Sequence, residues 1–413
     1  MRTPLVAGLS ALAALTLVSC SGPARAGSGA SSPQALAVQN ALVKTGRASA
    51  AGGQPDTGLT TLSESMAHYR VPAVSIAAIA GDSIAWSGAW GVQDARTGAP
   101  ATTETLFEAA SVTKMVVAAI VLRLVERGSL DLDADVNRYL RSWRVADNRF
   151  TSGHPVTLRL LLSHRSGLPT TNFPYDDGTS PTLVQVLQGA PPARNAAAVV
   201  QSTPGSAWRY SNLGYVLVQL VLEDVTGEPL QQIADEEVFR PLGVASSTFR
   251  YPLPPELSGR EALPHDSTGT PDTGWLHPTA QAQGGLLTTP SDIARLAIEI
   301  MKAYRGEPRR LFSQATARLM LQPEADPDPA LFGPVLGGAT VKDALGVFLR
   351  VQGDTLSFSH AGFNAPGSTF WVSAFPQTGQ GAVIATNGPG GLPGLTLEVL
   401  GGFARAYRWP LPW

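Results

Sequence analysis

The chain has 413 residues, a formal net charge of −2, 44% hydrophobic and 15% charged residues. That supplies a large core and no basic excess, so no nucleic-acid partner is expected. Past the N-terminus no run of about eighteen apolar residues occurs, so no internal membrane span is expected, and there is no internal repeat.

The first 20 residues read as a targeting segment, with Arg2 as the positive charge and an apolar stretch over 5–18 too short to span comfortably. Leu17-Val18-Ser19-Cys20 follows, and Cys20 is the only cysteine. This segment resembles the lipobox of bacterial lipoproteins, which implies cleavage before Cys20 and its lipidation. The alternative is an ordinary secretory signal cut after Ala24-Arg25-Ala26. Both imply export, either as a lipid-anchored envelope protein (periplasm or cell surface) or as a secreted one. Ser21 lacks the aspartate associated with inner-membrane retention. With no second cysteine there is no disulfide, so stability rests on the core. Residues 21–56, rich in Gly, Ala, Ser and Pro, read as a flexible tether with room for a short helix over 35–44.

From 57 to 413 the chain reads as one α/β domain. An amphipathic helix is predicted over 59–69, and strands over 74–80 and 83–92 joined at Gly81-Asp82. A helix apolar nearly all round covers 112–125 and ends at Arg127-Gly128. Residues of about 130–290 are mostly helical patterns, with long loops near 170–181 and 251–279. Strands return over 346–351, 355–360, 369–375 and 382–386, and a helix over 395–407 closes the chain. Sheet residues thus come from both ends and helices from the middle. The expected fold is α/β (α+β): an antiparallel sheet built from N- and C-terminal segments, flanked by helices, with an inserted helical lobe and a cleft between the two.

The chain holds four lysines (Lys44, Lys114, Lys302, Lys342) against twenty-six arginines, and only Lys114 has a serine three residues before it, Ser111. An amine can lose its proton at tolerable cost, whereas a guanidinium cannot. Positions i and i+3 share a helix face, so Ser111 and Lys114 suit a nucleophile and its base. Ser111 is placed at a helix N-terminus, where the dipole favours a developing alkoxide or oxyanion and disfavours an ammonium. Taken alone, the same residues describe an N-cap serine and a first-turn lysine.

Tyr210-Ser211-Asn212 opens a second apolar segment, over 213–225. A phenol near Lys114 could relay a proton if a neighbouring cation lowered its pKa from about 10; an exposed turn tyrosine is the plain alternative. His360-Ala361-Gly362 ends a strand, with Phe363-Asn364 following, and a glycine there lets a substrate backbone approach an edge. The six histidines show no metal-binding spacing, so no metal and no cofactor are expected.

Together, Ser-x-x-Lys, Tyr-x-Asn about a hundred residues on, and a basic residue-x-Gly on a late strand resemble the serine β-lactamase and penicillin-binding-protein superfamily. The nearest branch is that of class C β-lactamases, D-Ala-D-Ala carboxypeptidases and related esterases. Residues 158–168 are similar to its LLxHxSGL segment and 210–227 to its YSNxGYxLxxxxxExxTG segment. Pro241-Leu242-Gly243 with Thr248, and Gly284-Gly285-Leu286 through Asp292, match two more. The resemblance implies that Ser111 carries the acyl group, Lys114 takes or holds its proton, and Tyr210 passes it to the leaving group and helps activate the hydrolytic water. It implies that Asn212, His360 and Gly362 bind substrate, that the backbone N–H groups of Ser111 and Phe363 form the oxyanion hole, and that His164 holds a loop.

The chain departs from the family where His360 replaces a lysine and Ala361 a threonine. The first change removes an ammonium at pH 7 and the second a hydroxyl that would contact a substrate carboxylate. Both weaken recognition of penicillins and D-Ala-D-Ala ends. The resemblance therefore implies a serine hydrolase acting on an ester or a peptide, of D-amino-acid peptidase or esterase type. The alternatives are a true β-lactamase and a non-catalytic penicillin-binding receptor. The expected partner is a small-molecule, ester or peptide substrate, with peptidoglycan fragments and β-lactams among the candidates. If charge on His360 holds an anionic substrate, KM should rise through about pH 6 to 7.

Overall fold

The computed structural model describes residues 30–44, 58–171, 180–272, 279–331 and 339–411. The expected signal segment and Cys20 lie outside the described residues. The span expected as a tether is partly folded: helix α1 (Pro33–Gln39) and strand β1 (Leu42–Val43) pack on the domain, and β1 pairs with β2 (Leu59–Thr60). Ala35, Val38 and Leu42 recur at helical spacing and are fully buried, so the segment has an apolar face with somewhere to go.

Helix α2 (Leu62–Tyr69) starts three residues later than predicted, because Thr61 and Glu64 form a reciprocal capping box there. Strands β3 (Ala73–Ala80) and β4 (Ser83–Asp94) form the predicted hairpin, extended by β5 (Ala99–Pro100). Short strand β6 (Phe107–Glu108) leads into a 3-10 turn, Ala110–Val112, and buried helix α3 (Thr113–Glu126). The lobe follows with α4 (Leu158–Leu162), α5 (Leu183–Gln188), α6 (Asn212–Thr226), α7 (Leu230–Ala234) and α8 (Arg240–Leu242). Strand β7 (Leu287–Thr288) returns to pair with β6, and α9 (Pro290–Arg305) and α10 (Gln314–Met320) complete the helices on that side. Strands β8 (Thr340–Asp343), β9 (Phe348–Gln352), β10 (Thr355–Asn364), β11 (Ser368–Phe375) and β12 (Gln380–Thr386) precede α11 (Gly394–Ala406).

The main sheet runs β5-β4-β3-β12-β11-β10-β9-β8 and is antiparallel throughout. The C-terminal strands thus insert beside the N-terminal hairpin, as the sequence order predicts. Both faces are buried, and side chains sort between them with period two. Ala77, Phe358, Phe370, Val372 and Val383 join one core with α3, α6 and α9. Val74, Ile76, Trp86, Trp371 and Ile384 join a second core with α1, α2 and α11. The lobe docks on the first face near the end of β10, which places α3's first turn between lobe and sheet.

Candidate active site

Ser111 sits in the 3-10 turn that joins β6 to α3. Ala110 just before it has φ +45, a left-handed conformation uncommon for a residue with a side chain. That bend redirects the chain from strand to helix. Lys114 lies one turn on, is fully buried, and holds its Nζ 3.1 Å from Ser111 Oγ. Its amine also donates to the backbone carbonyl of Gln283. Burial pushes the Lys114 pKa well below that of a free lysine. An uncharged amine therefore faces the hydroxyl and can accept its proton.

Tyr210 enters from the lobe, just before the N-cap of α6. The cap is Ser211, whose hydroxyl accepts from the Gly214 N–H and donates to the Pro169 carbonyl. The phenol lies beside the Ser111 hydroxyl, which acts to lower its pKa, and Lys114 Nζ stands 5.0 Å from the Tyr210 ring centre and 5.3 Å from that of Tyr215. One expectation is overturned here. The Tyr210 pKa is raised, because desolvation by burial outweighs the effect of the Ser111 hydroxyl and Lys114 offers no cation to lower it. Lysine and tyrosine are both neutral, and the exchangeable protons are shared among the lysine amine, the phenol and the serine hydroxyl.

His164 fixes Tyr210 in place. It occupies the left-handed position just after α4, φ +56, where glycine is usual. Its Nδ1 accepts the Ser211 N–H at 3.2 Å, and its ring lies 4.2 Å from that of Tyr210. Burial holds the imidazole neutral by lowering its pKa well below the usual value. The loop-holding role expected of His164 matches this geometry. Trp208, two residues before Tyr210, donates from Nε1 to Asp343 Oδ2 at 2.6 Å and so pins the same loop to the edge strand β8.

The third wall is β10. Its pairing with β9 stops at Ser359↔Phe348, while its pairing with β11 continues to Asn364↔Ser368. Gln352 and Thr355 close the two-residue β9–β10 hairpin, so Thr355, Ser357 and Ser359 turn their main-chain groups toward β9. The same parity aims the N–H groups of Ala361 and Phe363 past the end of β9, at an open edge. Gly362 lets that edge meet the nucleophile turn. A Cβ there would lie 2.3 Å from the Ala109 carbonyl oxygen and 3.0 Å from the Ser111 nitrogen. The segment that carries the Phe363 N–H thereby packs against the backbone of the Ser111 turn. Phe363 is 50% exposed.

His360 is buried, and its Nδ1–H donates to the Ala361 carbonyl at 2.7 Å. Burial pushes its pKa down to about 3. The imidazole is neutral throughout the working range, so the idea that its charge holds an anionic substrate through pH 6 to 7 does not survive. Ala361 packs with the core on the opposite face of the sheet, so a side chain there points away from the nucleophile. Asn212 donates from Nδ2 to the Thr171 carbonyl at 3.3 Å, and its buried Oδ1 has no partner among the described residues. No cluster of metal-binding side chains occurs among the described residues.

Sequence reasoning missed three contributors. The Gln283 carbonyl acts through the main chain, so side-chain identity gives no signal. Asp343 and Glu108 are acids that look like surface residues in sequence but are 1% exposed.

With this geometry in hand, comparison with known proteins is informative. The β-lactamase family model matches residues 60–398. The esterase EstB of Burkholderia gladioli is 39% identical over 191 residues, 43% of this chain and 47% of that protein, so the chain spans about half of the esterase's length. A putative D-alanyl-D-alanine carboxypeptidase of Escherichia coli O157:H7 is 26% identical over 326 residues, 71% of this chain and 74% of that protein. The crystal structure of the D-amino acid amidase from Ochrobactrum anthropi SV3, complexed with L-phenylalanine amide, superposes with a TM-score of 0.64 at 26% identity, covering 84% of this chain and 97% of that one.

Proposed function

From a chain that belongs to the β-lactamase family, and that sets an uncharged lysine beside a serine hydroxyl, we propose a serine hydrolase that works through an acyl-enzyme on Ser111. Its substrates are esters or amides of the D-amino-acid type whose reactive end carries no carboxylate. The observation that carries the reading is Lys114 Nζ, fully buried, depressed in pKa and 3.1 Å from Ser111 Oγ.

Lys114 takes the Ser111 proton as Oγ bonds to the substrate carbonyl carbon. The oxygen of the tetrahedral intermediate lies between the N–H groups of Ser111 and Phe363, donors whose loss typically costs about 10²–10³ in kcat. As the C–O or C–N bond breaks, the Tyr210 phenol protonates the leaving group and Lys114 returns a proton to Tyr210. Water then attacks the acyl carbon with its proton passing to the same pair, and Ser111 Oγ leaves with a proton back. Asn212 Oδ1, a buried acceptor, takes a substrate N–H.

The esterase and D-amino-acid relatives support this choice of substrate over a β-lactam. So does the neutral His360, since a penicillin carboxylate finds no ammonium at that position. The reading is tested by intact-mass spectrometry with a panel of esters, D-amino-acid amides and penicillins. A mass increase equal to the acyl group, absent in Ser111→Ala, is expected with the first two. A protein that acylates with none of them is a binding receptor rather than a hydrolase.

We further propose export and lipid anchoring at Cys20, on the strength of Leu17-Val18-Ser19-Cys20 and the single cysteine. Incorporation of labelled palmitate, lost in Cys20→Ala, tests it.

A further inference from the structure

We propose that Glu108 is a positioning residue for the oxyanion hole: its buried carboxyl clasps the turn end of β10 and β11 to the strand that delivers Ser111, so that the two N–H donors converge. The proposal rests on the acyl-enzyme reading above.

Glu108 closes β6, three residues before Ser111. Its side chain points away from solvent and the residue is 1% exposed. Asn364 Nδ2 donates to Glu108 Oε2 at 3.3 Å, and the Ser368 hydroxyl lies against the same carboxyl, where it acts to lower the carboxyl's pKa. Asn364 and Ser368 face each other as the last pair of the β10–β11 ladder. One carboxyl therefore meets both members of the rung that ends the open edge, bonded to Asn364 and facing Ser368. Phe363, whose N–H is one oxyanion donor, is the residue next to Asn364. Ser111, whose N–H is the other, is one short turn from Glu108. Asn364 Nδ2 also lies 3.5 Å from the Gly284 carbonyl, just after Gln283, which holds Lys114. The clasp thus reaches the three segments that define the acylation geometry.

Packing alone does not call for a carboxyl at this place. Glu108 Oε1 is buried with no hydrogen-bond partner among the described residues, and an unsatisfied buried oxygen costs more than an apolar side chain of the same size. What a leucine could not do is receive Asn364 and Ser368. Burial, aided by Glu261 and Asp272 nearby, raises the Glu108 pKa well above that of a free carboxylate. A neutral carboxyl keeps the two contacts without placing negative charge behind the forming oxyanion.

The test compares wild type, Glu108→Ala, Glu108→Gln, Asn364→Ala and the Glu108→Ala/Asn364→Ala pair on an alkyl ester, with phenylboronic acid as a transition-state mimic. One displaced oxyanion donor predicts that Glu108→Ala lowers kcat by about 30- to 100-fold with KM within about twofold, and weakens the boronic acid in parallel. Glu108→Gln, which keeps an acceptor oxygen, restores kcat to within about threefold, whereas Glu108→Leu, which fills the same space without an acceptor, does not, and that contrast separates the clasp from a cavity effect. The double variant falls no lower than Glu108→Ala. Equal losses in Gln and Ala, a raised KM at unchanged kcat, or additive losses overturn the proposal. Should Glu108→Ala fail to fold, Asn364→Ala and Ser368→Ala carry the test, since each leaves the carboxyl in place and is expected to lower kcat severalfold at constant KM. Ser111→Ala run alongside separates the two readings. If it stays active, the acyl-enzyme reading fails; if it is dead while Glu108→Ala matches wild type, only the clasp fails.

Discussion

Lys114 gives a test of the site that needs no substrate. The amine is fully buried and its pKa is depressed by desolvation, and the neutral-base reading requires the folded protein to hold it without a proton at neutral pH. The unfolded chain returns the residue to a pKa of about 10.4 and protonates it. Between the two pKa values the unfolded state binds one more proton than the native state, so native stability rises with pH. The slope for one group is about 1.36 kcal/mol per pH unit, or about 2.7 kcal/mol from pH 7 to 9. Lys114→Met, of similar length and without a charge, abolishes this contribution and leaves every other titrating group in place. Urea unfolding of both proteins at pH 7 and 9 gives the difference directly. The stability of wild type minus that of Lys114→Met is expected to rise by about 2 to 3 kcal/mol over that range. The absolute difference at pH 7 is less telling, because the variant also forfeits hydrogen bonds to Ser111 and the Gln283 carbonyl, each worth about 1 kcal/mol. A difference that stays flat with pH means that the folded protein keeps the ammonium, and the neutral-base reading falls with it.

Four further outcomes are expected. Tyr210→Phe keeps the ring against His164 and removes the phenol, so kcat on alkyl esters or amides should fall about 10²–10⁴-fold while acylation by a p-nitrophenyl ester falls far less; equal losses on both would remove Tyr210 from leaving-group protonation. His360 is neutral above about pH 3, so KM should be level from pH 5 to 8, and a KM that climbs through pH 6 to 7 would restore a charged imidazole. Gly362→Ala forces a methyl to within 2.3 Å of the Ala109 carbonyl, which pushes the open edge off the nucleophile turn; the acylation burst should slow by about tenfold or more, and a wild-type burst would show that the edge does not set the donors. Removing residues 1–44 uncovers the surface that Ala35, Val38 and Leu42 bury, at a cost of about 3 to 5 kcal/mol; an unchanged melting temperature would make the N-terminal helix an ornament of the fold.

The sheet and both long buried helices were legible because period-two and all-apolar patterns are strong in this chain. Strand β11, STFWVSAF, and helix α3, TKMVVAAIVLRLVE, leave little choice. Strand β8 was not legible, since TVKD has four residues, three of them polar, and earns its place only by pairing with β9. The folding of 33–43 was hidden by its surroundings of Gly, Ala, Ser and Pro, although Ala35, Val38 and Leu42 were spaced to read it. At the site, the serine, lysine and tyrosine could be named from the order and spacing of their motifs. Their protonation could not. A neighbouring cation was expected to lower the tyrosine, and only burial, which depends on the whole fold, shows that there is no cation to do so. Glu108 and Asp343 stayed hidden for the same reason, because an acid reads as exposed until its neighbours are known.

The protonation states of Lys114, Tyr210, His164 and His360 point one way. Lys114, His164 and His360 are buried and Tyr210 is half-buried, and each is shifted toward its uncharged form: lysine and histidines downward, tyrosine upward. A site assembled without formal charge among these groups meets a neutral ester or amide at little desolvation cost. A substrate that carries a carboxylate beside its scissile bond would have to bury that charge with no ammonium to receive it, at a cost of several kcal/mol. In the transition state the order reverses: the oxyanion and the newly formed lysine ammonium appear together, a few ångströms apart, in surroundings of low dielectric where their attraction is strong. The same burial that removes charge from the resting site therefore favours the state in which charge is made. On the proposed reading, selectivity against anionic substrates and acceleration of neutral ones would be two consequences of one depressed amine.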